Sequence, residues 1–515
     1  MKQLTIFKAK PIVLAILSGF LMGLAPEPLN WWVLAWVALV PLWILISSDH
    51  IKYREIALAS FGWGFCYHSV ALFWITGVHP MTWMGVPWLA SLAIAIVVWL
   101  VVSCWGALLV CLWGLSFRWF IQRYLSSKLV WLSVISKIVF GVTIWCCLET
   151  VWSLSPLWWS SLSYTQSPHN LVILQLTKLS GFNTVTAAIL LVNGAIAEGI
   201  FRYSEFRYKL VSITLPLVLF ITLHLGGWYL YNLPITKDNL EAIKVGLIQG
   251  NVPNEIKLYS QGWAKAISGY TKGYRELAPQ VDAVLTPETA LPFYWDDITN
   301  NGAFYRAVLN SKTPAWVGAY GRDGKSYTNS LFTLTGEGKT FSRYDKTRLV
   351  PLGEYIPLEP IIGKIIDRLS PLEAHLQAGK PKQLFETPFG LAIVGICYES
   401  AYSQHFRFQT RSGGQFMLTA SNNAHYSDTM PAQHHAQDVI RSIESDRWMA
   451  RATNTGYSAI VDPHGNTIWR SQINSYQTHA DTIYKRTTLT PYIKWGDWLT
   501  SILLLVCFSL MVIIR

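Results

Sequence analysis

The chain has 515 residues and a formal net charge of +11, from 41 Lys and Arg against 30 Asp and Glu. Charged residues make up only 14% of the chain and hydrophobic residues 51%, whereas soluble domains carry about 25% charged residues. This composition excludes a disordered protein. Seven cysteines are too few for a disulfide scaffold of this length.

Apolar stretches dominate the first 232 residues, which hold 13 Lys and Arg and 6 Asp and Glu, against 28 and 24 in residues 233–515. Stretches of about 20 apolar residues cross a bilayer core as helices. The sequence therefore predicts a polytopic α-helical membrane domain with eight transmembrane helices, near 11–27, 30–48, 57–76, 87–116, 138–154, 182–200, 210–232 and 494–514.

Basic residues alternate between successive loops of this pattern. Twelve Lys and Arg lie at the N-terminus and in the loops near 49–56, 117–137 and 201–209, whereas the intervening loops contain only Lys178. Because cytoplasmic loops carry an excess of Lys and Arg, we expect a cytoplasmic N-terminus. The predicted order is a seven-helix bundle (1–232), a domain on the outer face (233–493) and a C-terminal transmembrane helix (494–515).

The outer domain alternates between β-branched runs and helical patterns. Strands are predicted at 243–249, 281–286, 315–319, 328–335, 391–396, 415–419 and 457–462, and helices near 258–278, 300–311, 398–410 and 432–448. This alternation is typical of α/β domains in which helices cover sheets. Reactive residues of such domains commonly follow the carboxyl ends of strands.

Three residues of different chemistry follow predicted strands. Glu288 follows VDAVLTP, Lys346 follows KTFSRYD and Cys397 follows LAIVGI. A thiolate attacks a carbonyl, a carboxylate accepts the thiol proton and an ammonium stabilises the resulting oxyanion. The backbone N–H of Tyr398 would supply a second oxyanion donor. The sequence thus predicts an acyl-transfer site.

Each of the three residues also has a structural interpretation. Cys397 is the only thiol of the predicted outer domain, and a free cysteine is often a small core residue. Glu288 is also compatible with the start of a helix, and Lys346 with a solvated face. The predicted acyl-transfer site would be replaced only if all three structural interpretations applied at the same time.

Five segments of the outer domain carry a family resemblance. They are IQGNVP (248–253), TPETALP (286–292), RYDKTRLVPLGEYIPLE (343–359), GICYES (395–400) and TASNNAH (419–425). The Glu, Lys, Cys order resembles the nitrilase, or carbon–nitrogen hydrolase, superfamily. Together with WCCLETVWSLSPLWW at 145–159, the chain resembles more narrowly the apolipoprotein N-acyltransferase family.

The resemblance implies a role for six residues. Cys397 would be the nucleophile, Glu288 the general base and Lys346 the oxyanion stabiliser. Glu354 matches a second active-site carboxylate, and Tyr398 and Glu399 match the pair that supports the nucleophile's loop. The implied fold is a nitrilase-like αββα sandwich docked on eight helices in the bacterial inner membrane, with the catalytic domain on the periplasmic side.

The resemblance also implies substrates. A membrane phospholipid would donate an acyl chain to Cys397, and the N-terminal amine of a diacylated apolipoprotein would accept it, both within the lipid bilayer. The thioester roughly conserves the energy of the ester, so the reaction requires no cofactor and no metal. His434 and His435 are adjacent and lack further ligands at metal-site spacing. The positive charge is explained by cytoplasmic loops and anionic lipid, so no nucleic-acid partner is expected.

The chain departs from the family pattern at three positions. The family often has SNDAWF where this chain has Asn423 and His425, and often has Trp at the spacing of Leu258. Nearby, residues 355–377 place isoleucines at helical spacing. This segment is equally compatible with a lid on the membrane surface and with a helix packed on the sandwich.

Two other functions remain compatible with the sequence. One is a membrane-anchored amidase or nitrilase that uses the same triad and passes the acyl group to water. The other is a transporter or receptor whose outer domain only binds a ligand, in which Cys397 would have no chemical role.

Overall fold

The computed structural model describes residues 2–124, 130–202, 209–235, 241–324, 326–355, 376–424 and 427–514. The chain divides into two compact units. A helical unit comprises 1–75, 96–233 and 495–515, and an α/β unit comprises 76–95 and 234–494.

Helices account for most of the first part of the chain and for its C-terminus. They are α1 (Lys2–Gly23), α2 (Val40–Ser47), α3 (Tyr53–Ala71), α4 (Trp88–Tyr124), α5 (Val130–Trp152), α6 (Leu171–Leu174), α7 (Thr177–Ser180), α8 (Phe182–Arg202), α9 (Lys209–Tyr231) and, at the end of the chain, Trp498–Ile514. Small residues let these helices approach closely: a Cβ on Gly19 would lie 2.2 Å from the Trp63 carbonyl oxygen, and one on Gly64 2.8 Å from Ala107 Cα. Such close packing is typical of membrane helices.

Four described helices are long and apolar enough to cross a membrane: 88–124, 131–152, 182–201 and 210–231. Each overlaps a predicted span, although 88–124 extends well beyond residue 116 and 131–152 begins well before residue 138. Shorter apolar helices occupy 11–23, 32–47 and 498–514, within three other predicted spans. The remaining predicted span, 57–76, overlaps α3, which begins earlier, at Tyr53.

The predicted span at 30–48 is not one uninterrupted α-helix. A 3₁₀ helix (Trp32–Trp36) is separated from α2 by a break. Asn193 of α8 compensates for the break, since its Oδ1 accepts from the Leu39 N–H at 3.0 Å and its Nδ2 donates to the Ala35 carbonyl at 2.9 Å. Irregular backbone at membrane depth requires such internal partners, and a local pattern of apolar residues does not reveal them.

The α/β unit contains two six-stranded sheets. Their strands are β1 (Ala242–Gln249), β2 (Ala283–Leu285), β3 (Ala315–Asp323), β4 (Ser326–Leu334), β5 (Thr340–Asp345), β6 (Phe385–Thr387), β7 (Gly390–Ile396), β8 (Phe416–Ser421), β9 (Met449–Thr453), β10 (Ala459–Val461), β11 (Thr467–Arg470) and β12 (Gln477–Tyr484). The sheet orders are β12-β1-β2-β3-β4-β5 and β11-β10-β9-β8-β7-β6. In each sheet the three central strands are parallel, β1-β2-β3 and β7-β8-β9, and the outer pairs are antiparallel.

The two sheets pack face to face around a common core. Inward residues of both sheets share one buried cluster, among them Leu247 and Trp316 of the first sheet and Val394 and Leu418 of the second. The outer helices of this unit are α10 (Asn254–Lys257), α11 (Ser260–Leu277), α12 (Trp295–Thr299), α13 (Ala303–Ser311), α14 (Ser403–Arg411), α15 (Thr429–Ser445) and α16 (Pro491–Trp495); the C-terminal helix Trp498–Ile514 is α17. A second cluster joins the first sheet to α11 and α13, and α14 packs on β7. The predicted α/β domain is therefore confirmed.

Two predicted helices differ from those observed. The pattern at 398–410 contains a 3₁₀ helix (Cys397–Ala401) followed by α14, because Tyr402 adopts extended backbone angles between them. The pattern at 432–448 belongs to α15, which ends at Ser445 because Asp446 is left-handed, with φ 53°. Four strands were not predicted: β6 and β11, which are only three and four residues long, and β9 and β12, which lack a strong β-branched run.

Candidate active site

Glu288, Lys346 and Cys397, the three residues of the predicted site, each follow the end of a strand. Glu288 lies three residues past β2, Lys346 directly follows β5 and Cys397 directly follows β7. β2 and β7 belong to different sheets, so the site is assembled across the sandwich. Parallel central strands end at the same edge of a sheet, which is where α/β domains usually place reactive groups.

A buried ion-pair network surrounds Lys346. Its Nζ donates to Glu288 Oε1 at 2.8 Å and lies 2.9 Å from the Glu354 carboxylate. Asn329 Nδ2 donates to the same Glu288 oxygen at 2.6 Å and to Glu354 Oε1 at 3.2 Å. Lys346 is 1% exposed and Glu288 6%, so the interactions act with little screening by water.

Burial and pairing compete in setting the ionisation of these groups. Burial alone would raise the pKa of Glu288, but the ammonium groups of Lys346 and Lys257 hold that pKa below its ordinary value. Burial would likewise lower the pKa of Lys346, but the Glu288 and Glu354 carboxylates raise it well above its ordinary value. At neutral pH Glu288 and Lys346 therefore form a charged pair.

The Cys397 thiol lies beside this network. Burial, followed by the Glu288 charge, raises the pKa of Cys397 above its ordinary value, although Lys346 opposes the shift. The Asn422 backbone N–H donates to Glu288 Oε2 at 2.8 Å, and the same N–H lowers the pKa of Cys397 slightly. The thiol and this carboxylate oxygen thus share a neighbouring backbone N–H. The thiol is protonated at neutral pH, so its attack requires a base.

Cys397 adopts a strained backbone conformation, with φ 51°, that residues other than glycine seldom occupy. Buried His434 stabilises this turn through Nε2, 2.9 Å from the Cys397 carbonyl oxygen. A carbonyl oxygen only accepts, so Nε2 carries the proton and Nδ1 accepts from Asn423 Nδ2 at 3.1 Å. Burial lowers the pKa of His434 well below its ordinary value. Asn423, a departure from the family pattern, therefore suits a neutral histidine.

The Glu399 carboxylate connects the turn at Cys397 to the residues on either side of Lys346. Oε2 accepts from the Ile396 N–H at 2.8 Å. Oε1 accepts from Tyr344 Oη at 2.9 Å, from the Thr347 N–H at 2.6 Å and from Thr347 Oγ1 at 2.7 Å. Glu399 is fully buried, so these bonds fix the spacing of the two turns.

Replacing Glu399 by alanine should lower the free energy of unfolding by about 3–5 kcal/mol, because several buried donors would lose their acceptor. Thermal unfolding of the purified protein measures the change. Replacing Glu386, an exposed carboxylate of β6, by alanine is the matched control and should change stability by less than about 0.5 kcal/mol. Equal stability of the two variants would contradict the connecting role.

Glu354 and Tyr398 complete the predicted set. Glu354 Oε2 accepts from the Val350 N–H at 2.8 Å, which turns its other oxygen towards Lys346. The Tyr398 ring packs edge-on against Tyr402, with ring centroids 5.3 Å apart. The structure thus brings Glu354 to the Lys346 network and places Tyr398 immediately after Cys397, in the same turn.

Four further residues contribute to the site and were not predicted: Asn329, Asn422, His434 and Lys257. Asn329 carries no strand-end signal because it lies inside β4. His434 was considered only as a metal ligand. Asn422 acts through its backbone N–H, which no sequence pattern marks. Lys257 comes from α10, far from the triad along the chain.

Two other predicted features fall partly outside the described residues. His425 and most of the 355–377 segment (residues 356–375) lie there, so the lid stays a prediction. Leu258 is described and is 52% exposed. It directly follows Lys257, which reaches Glu288.

Comparisons with known proteins agree with this architecture. Residues 18–195 match the apolipoprotein N-acyltransferase N-terminal domain, and residues 244–485 match the carbon-nitrogen hydrolase domain. The apolipoprotein N-acyltransferase of Nostoc sp. is 54% identical over 94% of this chain and 95% of its own length. That of Synechocystis sp. is 47% identical over 94% and 97%, and that of Thermosynechococcus vestitus 40% over 95% and 92%. The chain therefore belongs to the apolipoprotein N-acyltransferase family.

Proposed function

We propose that this protein transfers an acyl chain from a membrane phospholipid, through a thioester on Cys397, to the N-terminal amine of a diacylglyceryl-cysteine lipoprotein. The observation that carries the proposal is the buried Cys397 thiol beside the Glu288 carboxylate, which is ion-paired with Lys346. Membership of the family favours acyl transfer to an amine over transfer to water.

In the first half-reaction Glu288 Oε2 accepts the Cys397 proton as the sulfur attacks the ester carbonyl of the phospholipid. A protonated thiol makes this coupling necessary, since burial raises the pKa of Cys397. Lys346 and the Tyr398 N–H stabilise the oxyanion. When the tetrahedral intermediate collapses, the C–O bond breaks, Glu288 returns the proton to the leaving oxygen and lysophospholipid departs.

In the second half-reaction the neutral amine of the diacylated acceptor attacks the thioester. Glu288 takes a proton from the attacking nitrogen and returns it to the Cys397 sulfur as the C–S bond breaks. Glu354 accepts a hydrogen bond from the Val350 N–H and pairs with Lys346. It assists Glu288 as the base and orients the amine. The products are an N-acylated lipoprotein and free enzyme. Exclusion of water keeps hydrolysis of the thioester slow.

The membrane arrangement is part of the proposal. We infer eight transmembrane helices in a bacterial inner membrane, with segments 1–232 and 494–515 in the bilayer and 233–493 on the periplasmic side. Four long apolar helices and the alternation of basic loops support it. Both substrates are lipids of one bilayer, which accounts for a helical bundle rather than a single anchor. Leu258 and the 355–377 segment are proposed to contact the acyl chains.

A membrane-anchored hydrolase with the same triad is the alternative to be tested. The purified protein is incubated with a phospholipid labelled in its acyl chain and a diacylated N-terminal lipopeptide. We expect the label in an N-acyl lipopeptide, with lysophospholipid as the second product. Label in free fatty acid, with none in the lipopeptide, would support the hydrolase instead. The same lipopeptide with an acetylated amine is the control and should accept no label.

A further inference from the structure

Lys257 is a buried lysine beside the proposed active site. It is the last residue of the short helix α10 and is 6% exposed, whereas Leu258 and Tyr259, which follow it, are more than half exposed. The side chain therefore turns inward although its neighbours face outward. Burying an ammonium group is unfavourable unless it is paired and hydrogen-bonded.

The partners of Lys257 belong to the loop that carries Glu288. Its Nζ donates to Thr289 Oγ1 at 2.7 Å and to the Glu288 carbonyl oxygen at 3.4 Å. Thr289 has φ 44°, a left-handed conformation that is strained for a β-branched residue. The two hydrogen bonds hold this strained turn and thereby fix where the Glu288 side chain begins.

Lys257 also completes the charge balance of the site. Two carboxylates, Glu288 and Glu354, face Lys346, and Lys257 supplies a second positive charge. The titratable groups that interact with Lys257 are Glu288, Lys346 and Cys397. Burial, assisted by the Lys346 charge, lowers the pKa of Lys257 to about 8, although Glu288 and Cys397 oppose the shift. Lys257 is therefore mostly charged at neutral pH and lowers the pKa of Glu288 in turn.

We propose that Lys257 is a positioning residue that holds the Glu288–Thr289 turn and keeps the Glu288 carboxylate ionised, so that it can accept the Cys397 proton. The inference rests on the proposed function and extends it to a residue outside the triad. Its two parts predict different effects. Loss of the hydrogen bonds reduces the rate at every pH, whereas loss of the charge displaces the pH profile.

The test follows the first half-reaction alone, as release of lysophospholipid from phosphatidylglycerol in mixed micelles between about pH 4 and 9. The headgroup of this lipid does not titrate in that range, and no acceptor amine is present. Glu288 acts as a base only when ionised, so the rate falls on the acidic side as pH drops through its pKa. Lys257→Gln retains donor groups but removes the charge, which raises the pKa of Glu288. For Lys257→Gln we therefore expect the acidic midpoint of the pH–rate profile to move up by about one pH unit.

Lys257→Arg retains the charge and should keep the acidic midpoint within about 0.3 units of the wild-type value. Lys265→Gln makes the same charge change at an exposed position and should not move it. An unchanged midpoint in Lys257→Gln, or an equal shift in Lys265→Gln, would overturn the electrostatic role. Thr289→Val removes the hydroxyl acceptor and leaves the charge. The Thr289→Val variant should release lysophospholipid about tenfold more slowly, with an unchanged acidic midpoint. An unchanged rate would overturn the positioning role.

This inference and the proposed function fail in distinguishable ways. If the wild-type protein releases no lysophospholipid and forms no acyl-enzyme, the proposed function fails. If the wild-type protein does both and the Lys257 and Thr289 variants match it in rate and pH profile, only the role of Lys257 fails. If Lys257→Gln does not fold, the rate of Thr289→Val still decides the positioning role.

Discussion

Replacing Cys397 by alanine should abolish the acyl-enzyme and reduce transfer to a diacylated lipopeptide by about 10³-fold or more. The six other cysteines lie in the helical unit, and the described part of the α/β unit offers no second thiol. Intact-mass measurement after incubation with phospholipid detects the adduct. Its added mass equals that of one fatty acid minus one water.

The serine variant sharpens this prediction. A serine hydroxyl is far less acidic than a thiol, and ion pairing holds the pKa of Glu288 low, so Glu288 is too weak a base to activate it. We therefore expect Cys397→Ser to be nearly as inactive as Cys397→Ala. Cys66→Ala, in α3, is the matched control and should retain the adduct and the activity. An acyl adduct on Cys397→Ala, or unimpaired transfer, would exclude a thioester at this position.

Strand-end reasoning located Glu288, Lys346 and Cys397, which the structure places in one buried cluster, because it depends on local order along the chain. VDAVLTP, KTFSRYD and LAIVGI each end beside the residue that enters the network, and the predicted strands at 243–249 and 391–396 match β1 and β7 within one residue. The chemistry of these side chains then restricted the type of reaction, since a thiol, a carboxylate and an ammonium group together suit acyl transfer. Local patterns were sufficient at these positions.

Partners that are distant in sequence account for what the patterns missed. The break at 37–39 depends on Asn193, more than 150 residues away, and the turn at Cys397 depends on His434. Lys257 reaches Glu288 from a helix 31 residues earlier. The strand β9 lacks a strong β-branched run and is defined by its pairing with β8 and β10. Only the folded chain brings these groups together.

Replacing Lys346 by methionine should reduce acyl transfer by about 10³-fold, because the oxyanion loses its charged donor. The variant should also lose about 3–5 kcal/mol of stability, since the buried Glu288 and the partly buried Glu354 would lose the cation they share. Rates of lysophospholipid release and thermal unfolding measure the two effects. Adding Glu354→Gln removes one of the two carboxylates that Lys346 no longer neutralises, so the double variant should regain stability but not activity.

The pH dependence of stability distinguishes a lost ion pair from a general packing defect. In the wild-type protein the folded pKa of Glu288 lies below its unfolded value, so the pair stabilises the fold above about pH 4.3 and ceases to do so as pH falls through the folded pKa. Without Lys346 the pKa of the buried Glu288 carboxylate rises, and Glu288 binds a proton more readily in the folded state. Lys346→Met should therefore become more stable as pH falls from about 7 to 5, while the wild-type protein does not. Two results would contradict the role given to Lys346: parallel profiles of stability against pH for the variant and the wild-type protein, or more than a tenth of the wild-type activity in the variant. A lysine that only fills space would affect neither the pH dependence of stability nor the activity.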